Sequence, residues 1–199
     1  MQETRMDKLT REDLYSLEKY AEIRPEFRQQ VMAHKKIRVI PVGPNATFHF
    51  EDRLTMQYQV QEMLRAERIF EAAGIAEELA VYNPLIPDGA NWKVTFMLGY
   101  PDIEERRRKL AILHGVETRC WVRVAGFDPV FAIADEDLER DNEEKTSSVH
   151  FLRFELTPEM AAAAKAGAGI SIGVDHPEYA HQVAPLPEAQ RASLAADLD

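Results

Sequence analysis

Residues 51–74, EDRLTMQYQVQEMLRAERIFEAAG, form the longest stretch of this chain that reads as one helix, and they constrain the fold more than any other segment. Asp52 or Glu51 suits the N-cap, and Gly74 suits a left-handed C-terminal stop. At 100° per residue, Met56, Val60, Met63, Leu64 and Phe70 fall on one apolar stripe. Glu67 lies within that stripe. A second apolar edge carries Tyr58, Ile69 and Ala73, with Glu62 between the last two. The pattern predicts a long helix packed on two sides, with two carboxylates turned inward. A buried carboxylate needs a cation, several donors or its own proton.

Around this helix, strand and helix patterns alternate. Thr10 predicts an N-cap for a first helix, Pro25 divides it from a second running to Lys36, and together they give an N-terminal helical segment over 10–36. Residues 37–40 and 46–50 flank a Gly43-Pro44-Asn45 turn, a hairpin signature. Trp92, Val94, Phe96, Leu98 and Tyr100 alternate with more polar neighbours, a strong strand signal. Further strands are predicted over 119–127, 130–134, 147–156 and 170–174. Short helices are predicted over 75–82, 103–114 and after Thr157-Pro158. The proline-rich tail, 177–199, is expected to wrap the outside. The fold class is therefore α+β, with a mainly antiparallel sheet of about six strands packed with a long central helix and several shorter helices. With no repeat or linker, 1–199 reads as a single domain.

Composition excludes several functions. Acidic residues outnumber basic ones 34 to 24, and the net charge of −10 disfavours nonspecific binding to nucleic acid or anionic lipid. The single cysteine, Cys120, rules out an intrachain disulfide and any multi-cysteine metal centre. Its strand context points to a structural thiol. Without an apolar leader or a membrane-length apolar run, the chain reads as soluble and cytoplasmic. There is no P-loop, no G-x-S-x-G elbow and no G-x-G-x-x-G following a strand. Arg106-Arg107-Arg108 follow Glu104-Glu105 and read as a solvated, ion-paired face. The acidic stretch 135–145 lacks the spacing and glycine of a calcium loop.

Two constellations remain. Asp175-His176-Pro177-Glu178-Tyr179-Ala180-His181 contains an E-x-x-H spacing, as in carboxylate-bridged di-iron helices, but no second such pair exists. His176, His181, Glu178 and Asp175, with His150 or Glu62, are candidate ligands for one iron or zinc ion. Against this stand a turn role for His176, a surface position for His181 and a core position for His150. The other constellation is Glu62, Arg65, Glu67 and Arg68. It reads either as a salt-bridge network or as a cleft in which Glu62 or Glu67 is a base of raised pKa beside a Trp92–Tyr100 wall.

Taken together, EDRLTMQYQVQEMLRAERIFE, NPLIPDGANWKVTFM, EEKTSSVHFLRFELTPEM and GVDHPEY resemble an uncharacterised bacterial family classed as a domain of unknown function. The likeness spans essentially the whole chain. It implies genes often encoded beside a rubrerythrin and a heterodisulfide-reductase-like iron–sulfur oxidoreductase. The expected function is then an accessory protein of an iron-dependent redox or peroxide-defence system, with those proteins as partners. The alternatives are a small-molecule enzyme or sensor built on the carboxylate cleft, and a structural homo-oligomer joined through the second apolar edge.

Overall fold

The computed structural model describes residues 7–134 and 146–199. Six α-helices and two antiparallel sheets give the expected α+β class. The strands are β1 Val39–Val42, β2 Ala46–Glu51, β3 Asn91–Leu98, β4 Cys120–Val124, β5 Val130–Phe131, β6 Ile133–Ala134, β7 Val149–Glu155, β8 Ile170–His176 and β9 Tyr179–Val183. One sheet runs β1-β2-β3-β7-β6 and the other β5-β4-β8-β9, so the single six-stranded sheet expected from sequence becomes nine strands in two sheets. The difference has two local causes. Residues 130–134 divide at Ala132, with Val130–Phe131 pairing to β4 and Ile133–Ala134 to β7. The E-x-x-H segment, read as a metal motif, is instead the turn and second strand of the β8–β9 hairpin.

Period-two alternation directs the inward residues of both sheets into one core. Phe48, Phe50, Trp92, Val94, Phe96 and Phe154 of the first sheet join Cys120, Val122, Ile170 and Ile172 of the second. The tail is largely exposed but is tied into the core at three leucines. Leu186, Leu194 and Leu198 are all in this core, and the Trp92 indole Nε1 donates to Leu194 O at 2.9 Å. The helix α6, Glu188–Ala195, is thereby a structural element and not a wrapping.

The helices α1 (Leu17–Lys35), α2 (Arg53–Glu67) and α3 (Ala72–Tyr82) pack on each other around separate apolar clusters. α1 runs straight through Pro25, against the predicted break there. Tyr20, Phe27 and Val31 bury one face of it against Tyr58 of α2, and that burial outweighs the missing proline N–H. Thr10 caps only a short 3₁₀ turn, and Ser16 caps α1. α2 begins as expected at Asp52, with reciprocal bonds between Asp52 and Thr55. It stops early, at Arg68, which adopts φ 55° and donates its N–H to Leu64 O. Gly74 lies inside α3, where a Cβ would meet Ile69 Cγ2 at 2.7 Å. Its missing side chain serves close packing and not helix termination.

One buried cation joins these parts. Arg38, on the inward face with Ile40 and Val42, is 1% exposed. Its Nε donates to Phe50 O (3.0 Å), one terminal nitrogen to Glu51 O (3.2 Å) and Asp197, and the other to Ser193 Oγ (3.1 Å) and Asp197. Asp52 lies 3.3 Å from Nε. The α2 N-cap, the end of β2 and the segment after α6 thus share one guanidinium. Arg38→Met should lower unfolding stability in urea by about 3–5 kcal/mol, because the buried Asp197 and Asp52 would lose the guanidinium charge that faces them.

A second tie is Tyr179. Its hydroxyl donates to Val42 O (2.7 Å) and accepts from the N–H groups of Asn45 and Ala46 (both 2.9 Å), fixing the β1–β2 turn to the other sheet. Tyr179→Phe leaves those buried backbone groups short of a partner. A loss of about 1–3 kcal/mol in the same urea assay is expected.

Candidate functional site

The candidate residues occupy separate places. Glu62 is half-buried between α1 and α2 and accepts a bidentate pair from Arg24, Nε and a terminal nitrogen each at 2.7 Å. Tyr20 donates its hydroxyl to the same carboxylate at 2.7 Å. The Arg24 bonds outweigh partial burial and, with Tyr20, hold the Glu62 carboxyl down at about 2. That is the reverse of a raised-pKa base. Glu67 is exposed at the last turn of α2, because the helix ends there and the rest of its expected stripe does not exist. Phe70, placed on that stripe from sequence, is 60% exposed.

The cleft expected beside α2 is also absent as read. Trp92 and Tyr100, its proposed wall, are buried in the sheet core. The second apolar edge is used internally at Tyr58, whose ring sits 6.1 Å from that of Phe27. An uncharged residue that sequence reasoning passed over is the fully buried α2 amide. Gln61 accepts from Tyr15 N–H at 2.6 Å and donates to Tyr15 O, anchoring the chain ahead of α1.

The histidines do not converge. His176 is buried at the end of β8, where Nδ1 accepts from Glu178 N–H (3.2 Å) and Nε2 faces His114 O (3.3 Å). This is a turn role. His181 is exposed on β9, with its ring centroid 4.6 Å from that of Tyr179 and its edge against Gly43, where a Cβ would meet it at 2.5 Å. Asp175 and Glu178 are exposed. The pairing Val174↔His181 and His176↔Tyr179 shows why the helical E-x-x-H geometry fails: these are strand residues across a two-residue turn. His150 is fully buried on β7, with Nε2 2.9 Å from Thr146 Oγ1 and 3.0 Å from Ser147 O, and with Glu117 3.9 Å away. Among the described residues no three His, Cys, Asp or Glu side chains are placed to hold a metal ion. The acidic stretch 135–145 lies outside the described residues. Cys120 is buried, and burial, with Glu117 nearby, pushes its thiol well up, as befits a structural thiol.

A feature that sequence reasoning did not single out lies on the outer face of the second sheet. Trp121 and Arg123 point away from the core while Cys120, Val122 and Val124 point into it. The indole packs closely on Gly173, where a Cβ would meet Trp121 Cζ2 at 2.4 Å, and is 9% exposed. Arg123 Cζ lies 5.8 Å from the indole ring centroid. Two open clefts flank this pair. The first, of about 500 Å³, is lined by Arg123, Phe127, Asp128, Ser171 and Pro185. The second, of about 530 Å³, is lined by Trp121, Asp175, His181 and Gln182. The alternation of 121 and 123 is visible in the sequence; the register that sets Gly173 and Ser171 beside them is not.

Residues 8–198 match a family described as protein of unknown function, DUF3501. The chain belongs to the DUF3501 family. A crystal structure of a protein of unknown function from Burkholderia pseudomallei K96243 is similar to it, with a TM-score of 0.92 and 51% identity over 97% of this chain and 100% of the other. No curated protein matches. The DUF3501 assignment agrees with the family resemblance read from the four segments. Among the described residues of this DUF3501 chain, no helix is long and apolar enough to cross a membrane.

The Glu62 geometry has a pH signature. Its folded pKa of about 2 lies below the ordinary 4.5, so its contribution is full above pH 4.5 and is lost as the pH falls through 2. Thermal melts should show Glu62→Gln less stable than the wild type at neutral pH, with the difference shrinking between pH 4.5 and 2. A difference that stays constant across that window would mean the Arg24 pair does not set the stability of this contact.

Proposed function

We propose that this DUF3501 protein acts by binding, as an accessory protein of an iron-dependent redox or peroxide-defence system whose metal centre belongs to a partner. The observation that carries this reading is the commitment of Glu62. The carboxylate best placed for chemistry is locked in a bidentate pair with Arg24 that holds its pKa at about 2, too weak a base for general-base work at neutral pH. The separate duties of His150, His176 and His181 support it further. The partner implied by the family resemblance is a heterodisulfide-reductase-like iron–sulfur oxidoreductase or a rubrerythrin. A surface suited to such a contact is the mixed groove of about 340 Å³ where Tyr15, Leu17, Ile69 and Phe70 meet Arg11 and Glu18, with Phe70 largely uncovered.

Untagged chain, mixed with each purified partner at low salt, should co-elute with one of them, and Phe70→Ser should weaken that retention. Loss of both partners from the wild-type column would overturn the reading. Elemental analysis of the untagged chain should give substoichiometric iron, zinc and manganese, with no rise in melting temperature when each is added. A stoichiometric metal would move the centre from the partner to this chain.

A further inference from the structure

We propose that the outer face of the second sheet is a binding site for a small planar carboxylate, held by Arg123 in the cleft next to Trp121. This goes beyond an accessory role, since it assigns the chain a ligand of its own. The first observation is an unused cation. Among the described residues Arg123 has no carboxylate within ion-pair distance, and its guanidinium contact is the Trp121 indole. Unlike Arg24 and Arg38, which carboxylates engage, Arg123 is exposed at a cleft with its charge free to meet a ligand.

The second observation is the hydroxyl beside it. Arg123 and Ser171 are cross-strand partners on one face, so their side chains start about 5 Å apart. Ser171 is 8% exposed at the floor of the first cleft, and its Oγ makes no hydrogen bond within the described residues. A hydroxyl and a guanidinium fork side by side offer three donors to one carboxylate. The third observation is the apolar wall. Phe127 and Pro185 line the Arg123 cleft, and Trp121, packed on Gly173, borders the neighbouring one. A phenylalanine ring and a proline ring give a planar ligand ring an apolar surface.

The charges narrow the class. One guanidinium matches one carboxylate in two parallel bonds, whereas a phosphate dianion asks for more cations than this cleft contains. Asp128 lines the same cleft and Asp175 the neighbouring one, so a second negative group on the ligand is disfavoured. An aromatic monocarboxylate is the ligand that fits.

The two tryptophans make the test internal. Trp92 is buried and bonded to Leu194, while Trp121 is at the site, and Trp121→Phe assigns their indole N–H signals. In ¹⁵N-labelled full-length protein, titration with benzoate should shift the Trp121 indole signal saturably and leave the Trp92 signal in place. Benzamide, the neutral isostere, should not reproduce the shift. Arg123→Gln should weaken benzoate about tenfold or more, with Trp92 unchanged as evidence of folding. Phthalate and inorganic phosphate should each bind more weakly than benzoate. No saturable shift, equal binding of benzamide, equal affinity in Arg123→Gln, or phosphate binding as well as benzoate would each overturn the proposal.

Discussion

The fold depends on a charge that water cannot reach. Removing a guanidinium from solvent costs several kcal/mol, and only a full set of acceptors makes it tolerable. Arg38 finds them in two regions distant in sequence: the β2–α2 junction, with the carbonyls of Phe50 and Glu51 and the Asp52 carboxylate, and Ser193 with Asp197 at α6. Burial would lower its pKa, but Asp197 and Asp52 raise it, so the group stays charged. Asp52 shows the reciprocal effect. Burial pushes it up, yet His34 and Arg38 hold it down at about 2. A hydrophobic contact at this point could slide; a saturated fork fixes distance and direction together. The helical layer and the sheet core are therefore positioned by polar geometry, while apolar burial supplies most of the stabilisation.

Much of this was legible in the residues. The alternation from Trp92 to Leu98, the β1–β2 hairpin, the Asp52 cap and the Thr157-Pro158 helix start all follow from local rules, and local rules hold where nothing distant competes. The failures have the opposite character. Pro25 signals a break because its missing hydrogen bond is local, whereas the burial of Phe27 and Val31 that overrides it comes from α2. Gly74 signals a stop because left-handed glycine is common, whereas Ile69 needs it for contact. The signal for Arg38 was present, a basic residue in phase with Ile40 and Val42, but its acceptors lie more than 150 residues away in the case of Ser193 and Asp197.

The candidate site followed the same pattern. Polar residues in apolar surroundings attracted notice, and the fold employs them as struts: Glu62 between helices, His176 within a turn, His150 beside Thr146. Arg123 looked ordinary because an exposed arginine on a strand is common. Its interest comes from what register places around it, Ser171 on one side and an indole lying on Gly173 on the other. Composition cannot show a group whose partner is missing. Only the arrangement can.

The anchoring of α6 carries a consequence for how the molecule is made. Leu194 accepts from Trp92 in the middle of the first sheet, and Asp197 completes the Arg38 fork beside β1. Both groups follow every described strand in the sequence, so a nascent chain can form its hairpins and earlier helices before they are made but cannot close its core. Until then the Trp92 pocket lies open and the guanidinium has Asp52 without Asp197. The making of α6 and Asp197, and not of any earlier element, is the step that lets the core close.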